Sequence, residues 1–379
     1  MWSLNCSVCT YHKADGAQLA SLCPDCGQPL LVQYAAAVPR SAITAASSLW
    51  RYRAALPIQA HEHAYSLGEG MTPLTELPHL AKEIGVRRLW VKDEGVNPTA
   101  SFKARGLMMA VTRAKALGLP GVCVPTAGNA GIALAAYAAA AGMPCRIFAP
   151  ETTPPPILGS IRAYGADLIL LPGHIGDAGK ATMTFAKESG YFNVATVREP
   201  YRVEGMKTMG YEVAEQLGWR LPDAIVYPTG GGEGTIGIWK AVGEMLAWGW
   251  LPADMAKPRM IIAQAAGCAP LVRAFKAGEE KATPWEDPTT HASGLRVPGP
   301  LGDRLTLRTL RESAGEAEAV SEDAIRSGTF LLASKSGIDA APEGGAALEA
   351  TRQLVATGRL DASSEVVVFN TGSGASYRW

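Results

Sequence analysis

From Gly121 onward, short apolar and β-branched runs alternate with longer segments in helical spacing: GVCVP, GNAGIALAAYAAAAG, CRIFAP, ILGSIRAYG and ADLILLP follow one another directly. Strand, helix, strand at this rhythm predicts βαβ units around a parallel sheet. The alternation returns with a strand at Ala224 to Tyr227, a helix from about Gly234 to Ala247, a strand through Arg259 to Gln264 and a last strand at Val366 to Phe369. The strand material therefore falls into two blocks, with TTPPP (residues 152–156) as a stop before a helix. Val38 to Ser48, short of charge and rich in Ala, Ser and Thr, is expected to be a linker. There is no repeat at a fixed period of roughly 20 to 50 residues. Ligands of open α/β sheets bind beyond the carboxyl ends of the strands, which makes the residues after each strand the candidates for chemistry.

The 379 residues correspond to two or three domains at about 150 residues each. Lys and Arg total 35, as do Asp and Glu, so no net charge draws the chain to nucleic acid or an anionic membrane. The 41 glycines exceed the roughly 7% share of an average protein and suit an enzyme with glycine-built loops. No apolar run reaches the roughly 18 residues of a membrane span. MWSLNCSVC lacks the basic and apolar regions of a signal peptide, so a cytoplasmic setting is expected.

Four of the seven cysteines form a pattern. Cys6, Cys9, Cys23 and Cys26 are two Cys-x-x-Cys pairs separated by thirteen residues, the spacing of a structural zinc ribbon. Four sulfur ligands close the metal's coordination shell, so the expected zinc stabilises and does no chemistry. Cys123, Cys145 and Cys268 lie in apolar surroundings and read as small hydrophobes. His61 and His63 lack a third ligand at useful spacing and read as solvated loop residues.

Two strand-end loops precede helices. Thr126, Ala127, Gly128 and Asn129 follow GVCVP, while Thr229, Gly230, Gly231, Gly232, Glu233, Gly234 and Thr235 follow AIVYP. Glycines between strand and helix let backbone N–H groups converge on an anion, which predicts a phosphate loop at 230–235. It is neither a Walker loop nor a dinucleotide fingerprint. Glu233 is the awkward member, since a carboxylate facing a phosphate would be repelled, so it must point away or the loop does something else. A third loop, Asn370 to Gly374, follows the last strand, and upstream lies NPTASFKARG with Lys103.

In that order NPTASFKARG, TAGNAG, TGGGEGT and NTGSG resemble the lysine, asparagine, phosphate and C-terminal loops of fold type II pyridoxal-phosphate enzymes. SLGEGMTPL, the cysteine pairs, YRVEGMKTMGYEVAEQLGW, HASGLRVPGPLGDRL and APEGGAAL resemble segments of the threonine synthase family, and the likeness covers nearly the whole chain. The resemblance implies two open twisted sheets flanked by helices, with residues 1–40 as a ribbon, 41–104 and 201–379 as a larger lobe and 105–200 as a smaller one. It further implies that Lys103 joins pyridoxal phosphate through an imine and then carries protons. Asn129 would bond the coenzyme's ring hydroxyl, Gly230, Gly231, Gly232, Gly234 and Thr235 its phosphate, and Thr371 its pyridine nitrogen. The implied reaction turns O-phospho-L-homoserine and water into L-threonine and phosphate, with Thr126, Arg202 and Lys207 receiving the amino-acid substrate and Arg105 a further cation. A homodimer is also implied.

Ala104 stands where the family commonly has Asp, and Ala195 to Pro200 replace a segment that commonly reads Asn-Ser-Val-Asn-Pro. Two expected donors are lost there and Arg198 is gained. A serine or threonine dehydratase would use the same coenzyme loops without a phosphate-leaving-group pocket, and another replacement enzyme such as a cysteate synthase fits them too. A ribbon-mediated nucleic-acid binder is opposed by the charge balance, and a nicotinamide oxidoreductase by the missing fingerprint glycines.

Overall fold

The computed structural model describes residues 1–377. The chain divides into two compact units, one built from residues 1–70 and 97–208, the other from 71–96 and the chain from Met209 onward.

The first unit opens with a three-stranded antiparallel sheet in which Trp2–Cys6 pairs with His12–Lys13 on one edge and Leu30–Tyr34 on the other. Alternation along the strands turns Trp2, Leu4, Leu30 and Val32 to one side, where they enclose Cys23. Four parallel strands follow, in the order Asp167–Leu171, Cys145–Pro150, Val122–Pro125, Phe192–Asn193. Leu107, Met108 and Val111 of the lysine helix, Lys103–Ala116, meet Leu134 and Tyr137 of the asparagine helix, Asn129–Ala140, in one core with Val122, Val124 and Ile147. Apolar on nearly every face, the asparagine helix is buried from Gly131 to Ala138, as a helix without a polar stripe must be. Leu49, Trp50 and Leu56 belong to this same core. Residues 41–70, 97–104 and 201–208, expected with the larger lobe, group with the smaller one in the first unit, and of the stretch 41–104 only 71–96 goes to the second. The ribbon also counts with the first unit.

The second unit is a six-stranded sheet in the order Glu316–Val320, Arg259–Ala265, Ala224–Pro228, Glu365–Asn370, Arg88–Asp93, Leu74–Glu76. All neighbours are parallel except the last pair, where Leu74–Glu76 is antiparallel at the edge. Val226, Ile261, Val366 and Val368 pack beneath Leu348 and Leu354. Arg88–Asp93 and Glu316–Val320 lie outside the predicted strands because their charged residues (RLWVKD, EAEAV) break the apolar run by which the other strands are recognised. Among the described residues, no helix is long and apolar enough to cross a membrane.

Candidate active site

In the first unit, Lys103 is the first residue of its helix, half-buried, with Nζ 4.2 Å from the centre of the Phe102 ring. The approach to it is strained: Thr99 and Ala100 have φ of 64° and 56°, a region non-glycine residues avoid and which clusters at functional sites. Ser101 is fully buried, and neither its hydroxyl nor that of Thr99 has a hydrogen-bond partner among the described residues. A buried hydroxyl left unpaired costs about 1–3 kcal/mol, so two beside one lysine fit a group with acceptors of its own.

Thr126 follows strand Val122–Pro125, is buried, and accepts the Gly128 N–H at 3.1 Å. Gly131 is required behind it, because a Cβ there would strike Thr126 and Ile161. Asn129 begins its helix half-buried, and its amide has no hydrogen bond to the described residues. It stands where the helix's own unpaired N–H groups point, ready for an anionic oxygen.

The loop at 66–70 is tied to this helix through Glu69, which is fully buried. Its carboxylate accepts from Tyr137 Oη at 2.7 Å, Leu67 N at 2.9 Å and Ser66 Oγ at 3.0 Å, while Gly70 N donates to Asn97 at 3.0 Å. No role for Glu69 was read from the sequence, although an acid between two glycines in SLGEG was a visible signal.

Arg202 lies near the start of helix Tyr201–Gln216, fully buried. Glu199 accepts the N–H groups of Tyr201 at 2.6 Å and Arg202 at 3.0 Å, and Arg202 Nη1 donates to Val194 O at 2.6 Å. Val194 N in turn bonds Cys123 O at 3.0 Å, so Arg202 is fixed to the strand pair that leads to Thr126. Val197, between them, has φ 50°, a conformation costly for a β-branched side chain. Arg105 Nη1 donates to Thr208 at 2.9 Å. Lys207 lies further along helix Tyr201–Gln216. Its ammonium is fully buried, 2.7 Å from the Glu204 carboxylate and 3.2 Å from Tyr34 Oη.

The glycine loop and Thr371 belong to the second unit. Thr229 and Thr235 hydroxyls bond each other at 2.8 Å across the loop. Side chains are excluded at Gly230 by the Gly294 carbonyl and at Gly234 by the Tyr227 ring, while Gly232 has φ 91°. Such a turn ahead of helix Glu233–Ala247 leaves backbone N–H groups unobstructed. Glu233 is buried as the first residue of that helix. Thr371 follows strand Glu365–Asn370, and its hydroxyl has no partner among the described residues. Asn370 beside it donates to Asp93 at 2.8 Å, and burial pushes the Asp93 carboxyl above its ordinary value.

Glu343 was also not singled out from the sequence. Buried, it accepts from Gly294 N at 2.7 Å and Tyr377 Oη at 2.8 Å, holding the strip whose carbonyl abuts Gly230. Burial raises its pKa.

The four N-terminal cysteines converge, all Sγ atoms lying within 4.8 Å of one another, with Cys6–Cys26 at 3.4 Å and Cys9–Cys23 at 3.5 Å. A tetrahedron of sulfurs about 2.3 Å from zinc has edges of about 3.8 Å, so the set fits. Val8 and Cys9 N–H groups both point at Cys6 Sγ at 3.4 Å. Burial opposes them, yet the Cys6 thiol falls to about 7.

The first unit thus carries a half-buried lysine after a strained turn and an amide at a helix start, and the second a glycine loop and a strand-end hydroxyl. Residues 65–372 match the family described as Pyridoxal-phosphate dependent enzyme, and the chain belongs to it. Within that family it is 35% identical to the threonine synthase of Methanocaldococcus jannaschii over 86% of this chain and 80% of that protein. It is 34% identical to the threonine synthase of a Bacillus species over 86% and 89%. Maize serine racemase shares the fold with a TM-score of 0.70 at 21% identity, covering 80% of this chain and 88% of that one. The processed threonine deaminase isoform 2 of Solanum lycopersicum does so at 0.69 and 20%, covering 80% and 79%.

Proposed function

We propose that this chain is a threonine synthase, turning O-phospho-L-homoserine and water into L-threonine and inorganic phosphate with pyridoxal phosphate. The observation that carries this reading is likeness to threonine synthases across 86% of the chain. When bound, the coenzyme supplies an electron sink for charge developing on the substrate carbons. Lys103 Nζ holds the coenzyme and then takes and returns the proton at Cα. That task needs the neutral form of the amine. Asn129 meets the ring hydroxyl and Thr371 the pyridine nitrogen. The N–H groups of Gly230, Gly231, Gly232 and Gly234, with Thr235, take the coenzyme phosphate. Thr126 and Arg202 serve the substrate, the guanidinium matching a departing phosphate. Lys207, paired with Glu204, is the third residue on the substrate side of this scheme.

The same proposal places one structural zinc ion on Cys6, Cys9, Cys23 and Cys26, supported by the sulfur spacing. It also includes the homodimer implied by the family resemblance, to be read by light scattering. Incubation with O-phosphohomoserine should give threonine and phosphate in equal amounts, and Lys103→Ala should abolish both along with the protein's yellow colour. Ammonia from threonine, with no phosphate from O-phosphohomoserine, would replace this reading with a deaminase.

A further inference from the structure

The cysteine-bearing sheet is anchored to the parts of the first unit that carry chemistry. Tyr34, the last residue of strand Leu30–Tyr34, donates to Glu204 at 2.6 Å and accepts from Lys207 at 3.2 Å, with the ammonium 4.3 Å from its ring centre. Its oxygen also lies 2.8 Å from Ala55 O. Between the cysteine pairs, the carbonyls of Gly16 and Gln18 face the Tyr201 hydroxyl at 3.5 and 3.4 Å. Arg113, on the lysine helix, donates to Ala17 O at 2.9 Å and lies over the rings of both Trp2 and Tyr201. The first two turns of helix Tyr201–Gln216 also meet the lysine helix backbone to backbone. A Cβ at Gly205 would strike the Arg105 carbonyl, and one at Gly106 would strike Met206.

Glu204 and Lys207 form an ion pair with no exposure on either side. Further hydrogen bonds offset the desolvation of such a pair, and the ribbon supplies them through Tyr34. The ribbon has a core of only five buried residues, too few to hold a sheet without its metal. Loading of the four cysteines would therefore add to the order of this sheet.

We infer that Tyr34 is a positioning residue: the metal-loaded ribbon holds it against Glu204 and Lys207 and so fixes the two helical turns that carry Arg202 and back the Lys103 helix. The metal half of this inference rests on the zinc proposed above.

The test uses the full-length, coenzyme-loaded protein and its Tyr34→Phe variant, with amide exchange, metal content and kinetics measured on both. Tyr34→Phe should keep its zinc, yet exchange at residues 201–208 should quicken by about tenfold or more while helix Glu233–Ala247 is unchanged. KM for O-phosphohomoserine should rise by roughly fivefold to tenfold with kcat within about twofold, a split that general destabilisation would not produce. Removing the metal from the wild type with a chelator should reproduce the faster exchange, and should add little in Tyr34→Phe. Unchanged exchange at 201–208 in zinc-loaded Tyr34→Phe overturns the inference, as does chelation that loosens residues 1–35 alone. A wild type that never binds metal sinks the zinc reading and the metal half of the inference, while the Tyr34→Phe exchange still decides the positioning role. Exchange needs no substrate, so failure of the threonine synthase reading is separately visible.

Discussion

Glu69→Ala removes the acceptor of three donors at once, and the structure sets the expected cost. Tyr137 is fully buried, so its hydroxyl would be stranded without water, at about 1–3 kcal/mol. Ser66 and Leu67 are more exposed and can turn to solvent, so their lost charge-assisted bonds add about 2 kcal/mol together. The sum is roughly 3–5 kcal/mol for Glu69→Ala, against about 1–2 kcal/mol for Glu69→Gln, which keeps an acceptor and loses the charge. Tyr137→Phe should cost about 1.5–3 kcal/mol by deleting one bond to a charged group. In the double variant no donor is stranded, so it should be less destabilised than the sum by about 1–3 kcal/mol. Two units need not unfold together, so the readout is amide exchange within helix Asn129–Ala140 followed by mass spectrometry. A Glu69→Ala penalty below about 1 kcal/mol, or strict additivity in the double variant, would refute the reasoning.

Burial raises the Glu343 pKa above the ordinary 4.5, so its contribution to stability is complete below that value and fades as pH rises through the raised one. Glu343→Gln keeps an acceptor for Gly294 and never ionises; thermal melting from pH 4 to 8 should show it gaining on the wild type as pH rises, and a constant gap would contradict this. Gly205→Ala should destabilise by about 1–3 kcal/mol through overpacking against Arg105, measured by urea unfolding; a neutral result would mean that the helices separate freely. Cys6→Ser with Cys26→Ser should lose zinc and protection over residues 1–35 while the coenzyme's absorbance remains, and metal retained by that pair of changes would count against the four-sulfur site.

The parallel strands and the loops behind them were legible because full burial leaves an apolar run and strand ends leave glycine, threonine and asparagine. What could not be read was set by tertiary packing. Arg88–Asp93 is an inner strand beside the sheet edge, with charged residues at both ends, and only the paired sheet shows where it goes. Residues 41–70 gave no periodicity to assign them to a lobe; the contacts of Leu49, Trp50 and Leu56 with the lysine-helix core decide it. Lys207 illustrates the limit for charges. Its position five residues after Arg202 gave no sign of the Glu204 and Tyr34 contacts that the fold makes. Glu69 and Glu343 likewise gained meaning only once their donors, distant in sequence, were in place.

Running the reaction with O-phosphohomoserine in ¹⁸O-labelled water separates elimination and water addition from simple hydrolysis. Cleavage of the bond between Cγ and the phosphate oxygen, followed by addition of water at Cβ, puts one solvent oxygen on the threonine hydroxyl and none in the phosphate released. A threonine synthase should give that pattern, with equal threonine and phosphate, and lose it in Lys103→Ala. Homoserine accompanied by labelled phosphate, as from simple hydrolysis at phosphorus, would contradict it.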